Sequence, residues 1–104
     1  MKKISILGST GSIGVSTLDV IERNPESFQI LALSAGSNVE LFAEQIRKFK
    51  PQVVALFDSK KVPLLKEQIT DLDVEILFGE KGLISVATHS EIDVTVSCLP
   101  AIPT

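Results

Sequence analysis

The sequence contains no tryptophan or tyrosine, and it has only one cysteine and one histidine among its 104 residues. The lack of Trp and Tyr argues against an aromatic binding platform and favours aliphatic packing of helices on a sheet. One cysteine excludes a disulfide framework, and the N-terminal apolar run is broken at once by Gly8, unlike a secretory signal. These absences predict a protein of the reducing cytoplasm.

The sequence also lacks an excess of positive charge and any long apolar run. Its formal net charge is −3, so no electrostatic attraction draws it to nucleic acid or to an anionic membrane. No apolar run approaches the ~20 residues that a membrane-spanning helix needs. We therefore predict neither nucleic acid nor membrane as a partner, and the length fits one domain.

Short segments rich in β-formers recur at intervals that leave room for a helix and two loops. They are residues 4–7, 29–33, 53–57, 74–78 and 94–98. Most are nearly continuous in apolar side chains, which is typical of parallel strands covered on both faces.

The segments between them have helical periodicity, and we predict helices over residues 12–24, 39–49, 59–70 and 80–88. The predicted apolar stripes include Ile13 in the first helix and Leu64 in the third. Asn38 and Asp58 stand where N-cap residues belong.

This alternation predicts an α/β fold, a Rossmann-type parallel sheet with helices on both faces. A complete doubly wound domain usually continues past a fifth strand. We therefore expect residues 1–104 to be a dinucleotide-binding domain truncated after the fifth strand, the N-terminal part of a longer enzyme.

Three glycines, Gly8, Gly11 and Gly14, lie between the first strand and the first helix. In a dinucleotide site, such glycines permit a sharp turn, close approach of a pyrophosphate and tight packing of the helix. The hydroxyls of Ser9, Thr10 and Ser12 are expected to line the same rim. A merely tight turn needs one or two glycines, so this spacing predicts a dinucleotide site.

The end of the second strand indicates which dinucleotide is bound. NAD sites normally carry Asp or Glu there for the ribose 2′-hydroxyl. Residues 33–38 contain no acid, and Ser37 and Asn38 offer hydrogen-bond donors beside the next helix N-terminus. Because no carboxylate would repel a 2′-phosphate, the sequence favours NADP over NAD.

The segments 6–14, 16–21 and 32–39 closely resemble the start of the 1-deoxy-D-xylulose 5-phosphate reductoisomerase family. The resemblance implies an NADPH-dependent oxidoreductase that rearranges and reduces 1-deoxy-D-xylulose 5-phosphate to 2-C-methyl-D-erythritol 4-phosphate in isoprenoid biosynthesis. It also implies that Thr10, Gly11, Ser12 and Ile13 hold the pyrophosphate region, and that Gly36, Ser37 and Asn38 lie around the adenosine ribose with its 2′-phosphate. Together with Gly8 and Ser9 of the glycine-rich turn, these are the predicted cofactor-binding residues. Family members often carry a basic residue where this chain has Ser37.

The resemblance further implies a sugar phosphate substrate, a divalent metal (Mg or Mn) and a homodimer for the whole enzyme. The metal and substrate residues of the family lie beyond position 104, so no catalytic or metal residue is predicted here. The chain alone is expected to bind cofactor and to be inactive.

Two other functions fit the same glycine-rich turn. One is the NADP-binding domain of a semialdehyde-type dehydrogenase, which would need a catalytic cysteine further along the chain than Cys98. The other is a non-catalytic nucleotide-binding regulatory module.

Overall fold

The computed structural model describes residues 1–98, and within them five strands alternate with helices. The strands are β1 Lys2–Leu7, β2 Phe28–Ala35, β3 Val53–Leu56, β4 Glu75–Phe78 and β5 Val94–Ser97. The helices are α1 Ser12–Glu22, α2 Val39–Phe49, α3 Val62–Gln68 and α4 Gly79–Ala87, and a short 3₁₀ turn, Ser59–Lys61, precedes α3.

All neighbouring strands pair in parallel, in the order β4-β3-β2-β1-β5. The chain moves outward from β1 to β4 and then crosses back to place β5 on the other side of β1. This reversal puts a topological switch point at β1, where open α/β sheets bind ligands at the carboxyl ends of their strands. The glycine-rich turn follows β1 directly.

Helices cover both faces of the sheet, as the sequence predicts. Residues from α1, α2 and α3 share one core with one face of the strands, centred on Ile6, Leu33 and Phe42, which are fully buried. Val86 of α4 packs with Leu7 on the opposite face. The predicted α/β Rossmann-type fold is therefore confirmed.

Two predicted core positions are wrong. Ile13 is 66 % exposed and Leu64 is 48 % exposed. The inward face of α1 carries Gly14, Leu18 and Ile21, so Ile13 is rotated towards solvent. In α3 the buried positions are Val62 and Leu65.

The last strand is not covered on both faces, unlike the strands that the apolar segments predict. β5 is at the edge of the described sheet, and Val94 is 40 % exposed. Cys98, immediately after β5, is buried, and its sulfur lies 3.8 Å from the hydroxyl oxygen of Thr17. The predicted third helix divides into the 3₁₀ turn and α3, and the carboxylate of Asp58 caps the 3₁₀ turn.

A surface ion pair fastens α2 to the segment after α3. Arg47 donates two hydrogen bonds to the carboxylate of Asp71, at 2.9 and 3.0 Å. This hydrogen bonding, more than the charge itself, lowers the pKa of Asp71 and raises the pKa of Arg47. Because both groups are exposed, the pair adds little stability. Within residues 1–98, no helix has the length and apolar character needed to cross a membrane.

Candidate functional site

The glycine-rich turn is anchored on the neighbouring strand β2. The backbone carbonyl oxygen of Ser34 accepts hydrogen bonds from the amides of Gly8 and Ser9, at 3.0 and 2.9 Å. The amide of Gly8 also lies 3.2 Å from the hydroxyl oxygen of Ser34. Gly8 has a φ of 79°, in the left-handed region that favours glycine, so it makes the sharp reversal after β1.

A second anchor joins the turn to helix α2. The Ser9 hydroxyl donates to Oε1 of Gln45 at 2.7 Å, and Nε2 of Gln45 donates to the Ser9 carbonyl oxygen at 2.8 Å. Ser9 is fully buried and Gln45 is 7 % exposed. The prediction that Ser9 adds a hydroxyl to the rim is therefore wrong, because this hydroxyl faces the protein interior.

Replacing Gln45 with methionine should lower the free energy of unfolding by about 2 kcal/mol, because it leaves two buried polar groups of Ser9 without partners. Chemical denaturation of the wild type and of the Gln45→Met variant measures this difference. Gln52→Met is the matched control, since Gln52 is exposed and the same substitution there should change little. A loss at Gln45 no larger than at Gln52 would contradict the proposed anchor.

The N-terminus of α1 faces the rim of the turn. The first amides of an α-helix have no partner inside the helix. No side chain caps α1, and its first turn contains no acidic residue. The amides of Ser12, Ile13 and Gly14, together with the positive end of the helix dipole, are therefore available to donate to an anion.

Two glycines of the turn have different roles. A Cβ atom on Gly14 would overlap the Gly8 carbonyl oxygen and lie 2.7 Å from Cα of Ser9, so the fold itself requires glycine. A Cβ on Gly11 would be 3.7 Å from its nearest neighbour, and its φ of −74° suits any residue. Gly11 is exposed and is the N-cap residue of α1, so a side chain there would enter solvent-accessible space beside the first turn of the helix.

The segment after β2 forms the other half of the candidate site. Gly36, Ser37 and Asn38 are all exposed at the carboxyl edge of the sheet, and a Cβ on Gly36 would meet nothing within 4 Å. Asn38 caps α2 as predicted, since its Oδ1 accepts from the amide of Leu41 at 3.3 Å. This cap uses the carbonyl oxygen of the side chain and not its NH₂ group.

The structure therefore places Thr10, Gly11, Ser12 and Ile13 along one accessible rim and residues 36–38 after the adjacent strand. Sequence reasoning missed Ser34 and Gln45, which hold the turn in place. Gln45 had a detectable signal: it lies three residues after Phe42, so a polar side chain falls on the apolar stripe of α2. Among the described residues, no three His, Cys, Asp or Glu side chains cluster as a metal site would need.

The sequence matches the family model of 1-deoxy-D-xylulose 5-phosphate reductoisomerase over residues 4–102. It is 49 % identical to the reductoisomerase of Microcystis aeruginosa over 110 aligned residues, covering all of this chain and 28 % of that protein. A chloroplastic reductoisomerase of Oryza sativa subsp. japonica is 51 % identical over 92 residues, covering 86 % of this chain and 20 % of its own length.

Solved structures give the same result. A crystal structure of DOX-P reductoisomerase in complex with NADPH, fosmidomycin and magnesium superposes with a TM-score of 0.90 at 34 % identity, covering 95 % of this chain and 24 % of that one. The reductoisomerase from Zymomonas mobilis in complex with NADPH superposes with a TM-score of 0.82 at 34 % identity, covering 86 % and 24 %.

These similarities extend over nearly the whole sequence and both halves of the candidate site. The chain spans about a quarter of the length of the relatives it matches, at 28 % of the Microcystis protein and 24 % of the solved reductoisomerases. The chain belongs to the 1-deoxy-D-xylulose 5-phosphate reductoisomerase family.

Proposed function

We propose that this chain is the NADPH-binding domain of an enzyme that rearranges and reduces 1-deoxy-D-xylulose 5-phosphate to 2-C-methyl-D-erythritol 4-phosphate. The observation that carries the proposal is the uncapped N-terminus of α1, which faces open space at Gly11 on the switch point of the sheet. Two relatives of known structure are described as NADPH complexes, which supports the same cofactor here.

In this proposal the amides of Ser12, Ile13 and Gly14 hold the pyrophosphate, and the hydroxyls of Thr10 and Ser12 add donors beside them. Their positions are fixed before the ligand arrives, because Ser34 and Gln45 already hold the turn. Such preorganisation reduces the entropy that binding costs. When bound, NADPH supplies the hydride for the reduction.

Gly36, Ser37 and Asn38 are proposed to surround the adenosine ribose and its 2′-phosphate. The turn and this segment lie side by side because β1 pairs with β2, with Leu7 opposite Ser34. Residues 8–18 and 28–39 contain no Asp or Glu, so no carboxylate of these two segments opposes the phosphates.

The remaining features concern the whole enzyme. The magnesium of one structural relative supports a divalent metal, but we assign no metal ligand or catalytic residue to residues 1–98. We further propose a sugar phosphate substrate, a homodimer and no activity of residues 1–104 alone. Cytoplasmic localisation stays a prediction, and the rice relative is named chloroplastic.

Calorimetric titration of the 104-residue chain with NADPH, and separately with NADH, tests the proposal. We expect NADPH to bind more tightly than NADH, because the end of β2 lacks the carboxylate that NAD sites use. Inorganic pyrophosphate should compete with NADPH, since both need the amides of α1. Tighter binding of NADH, or NADPH binding that pyrophosphate does not weaken, would contradict the proposed site.

A further inference from the structure

A lysine from the neighbouring strand-to-helix connection reaches the segment after β2. The ammonium nitrogen of Lys61 lies 3.4 Å from the backbone carbonyl oxygen of Ser37. Lys61 belongs to the 3₁₀ turn after β3 and is 24 positions from Ser37 in sequence. No pattern in residues 33–38 reveals this cation, because it comes from a different connection.

The pairing of the strands produces this juxtaposition. β2 and β3 are adjacent and parallel, with Ala35 opposite Leu56. The pairing continues beyond the strands, since the amide of Asp58 donates to the carbonyl oxygen of Gly36 at 3.0 Å. The 3₁₀ turn then begins at Ser59 and carries Lys61 to Ser37.

The charge of Lys61 is available to a ligand. Among residues 1–98 the ion pairs use Arg23, Arg47 and Lys48, whereas the Lys61 ammonium contacts a neutral carbonyl oxygen. The nearest acidic residue along this connection is Asp58, and its carboxylate accepts from the amide of Lys60 at 3.1 Å. This hydrogen bond caps the 3₁₀ turn and engages the Asp58 carboxylate with the backbone of that turn.

We infer that Lys61 determines the preference for a 2′-phosphorylated adenosine, binding the 2′-phosphate with its ammonium group next to Ser37 and Asn38. This inference rests on the proposed function, since it assigns a residue to the adenosine half of that site. A lysine binds phosphate as a point charge, so it adds affinity for the dianionic 2′-phosphate and little for a 2′-hydroxyl.

The test uses the two adenosine halves of the cofactors, 2′,5′-ADP and 5′-AMP, titrated calorimetrically into the 104-residue chain. Lys61→Ala should weaken 2′,5′-ADP about fivefold and leave 5′-AMP unchanged, as expected for loss of one solvent-accessible charge contact. The wild-type preference should also shrink as salt is raised, because mobile ions screen an exposed contact.

Lys60→Ala is the matched control, since it removes the same charge from the adjacent residue, whose ammonium group makes no hydrogen bond to Ser37. Lys61→Arg should keep the preference. Adding Ser37→Lys to Lys61→Ala should restore the preference for 2′,5′-ADP, because it supplies a positive charge from position 37 in place of position 61. The melting temperature of each variant shows whether it is folded. It should match that of the wild type, because the substituted side chains are exposed.

Three results would overturn the inference. Lys61→Ala could weaken both ligands equally, which indicates a role in shaping the site, or Lys60→Ala could have the same selective effect, which indicates only the general charge of the turn. A Lys61→Ala variant that keeps the full wild-type preference also contradicts it. If the wild-type chain binds neither 2′,5′-ADP nor NADPH, the proposed function fails together with this inference.

Discussion

A Gly11→Val variant is expected to keep its stability and to lose at least about 100-fold in affinity for NADPH, equivalent to two charge-assisted hydrogen bonds to phosphate. Gly11 is exposed, has an ordinary φ, and has 3.7 Å of clearance at the position of a Cβ. The fold therefore accepts a side chain there. The branched side chain instead occupies the space in front of the α1 amides, where the pyrophosphate is proposed to bind.

Calorimetry gives the affinity of the Gly11→Val variant, and thermal unfolding shows whether its fold is intact. Gly36→Ala is an informative comparison, because it adds a methyl group in empty space in the adenosine half of the site. It should weaken NADPH far less than Gly11→Val does. Unchanged affinity of Gly11→Val for NADPH would contradict binding of the pyrophosphate at this turn.

A Gly14→Ala variant is expected to lose about 3 kcal/mol or more of unfolding free energy, in the upper range for overpacking. The added methyl group would overlap the Gly8 carbonyl oxygen and lie 2.7 and 2.8 Å from Cα and C of Ser9. These are backbone atoms of a turn that Ser34 and Gln45 already hold. The better helix propensity of alanine returns only about 1 kcal/mol, so the steric overlap decides the outcome.

Chemical denaturation measures the effect of Gly14→Ala, and Gly36→Ala is its matched control. The same substitution at Gly36 meets no atom within 4 Å, so it should leave stability within about 1 kcal/mol of the wild type. Equal effects at the two glycines would show that α1 does not pack closely on the anchored turn.

Much of the fold could be predicted from the sequence because its signals are local. Apolar runs separated by helical stripes mark the elements, and Asn38 and Asp58 mark two of the caps. The glycine spacing marks the turn for the same reason, since Gly8 and Gly14 meet requirements of the backbone within seven residues of each other.

The errors arise where the signal is not local or is missing. The inward position of α1 in its first turn is Gly14, which has no side chain, so an apolar stripe read from the sequence begins wrongly at Ile13. The composition of β5 does not reveal that it lies at an edge, because strand order depends on crossovers between distant segments. The anchor of Ser9 lies 36 residues away at Gln45.

Mapping NADPH onto the backbone amides by NMR spectroscopy shows directly whether the cofactor binds at the glycine-rich turn. A titration of the ¹⁵N-labelled 104-residue chain should shift the amides of residues 10–14 and those of Ser37 and Asn38. One competing surface is the groove at the start of α4, lined by Phe78, Gly79 and Gly82 together with Ser59. Shifts concentrated in that groove, with the amides of residues 10–14 unchanged, would contradict NADPH binding at the glycine-rich turn.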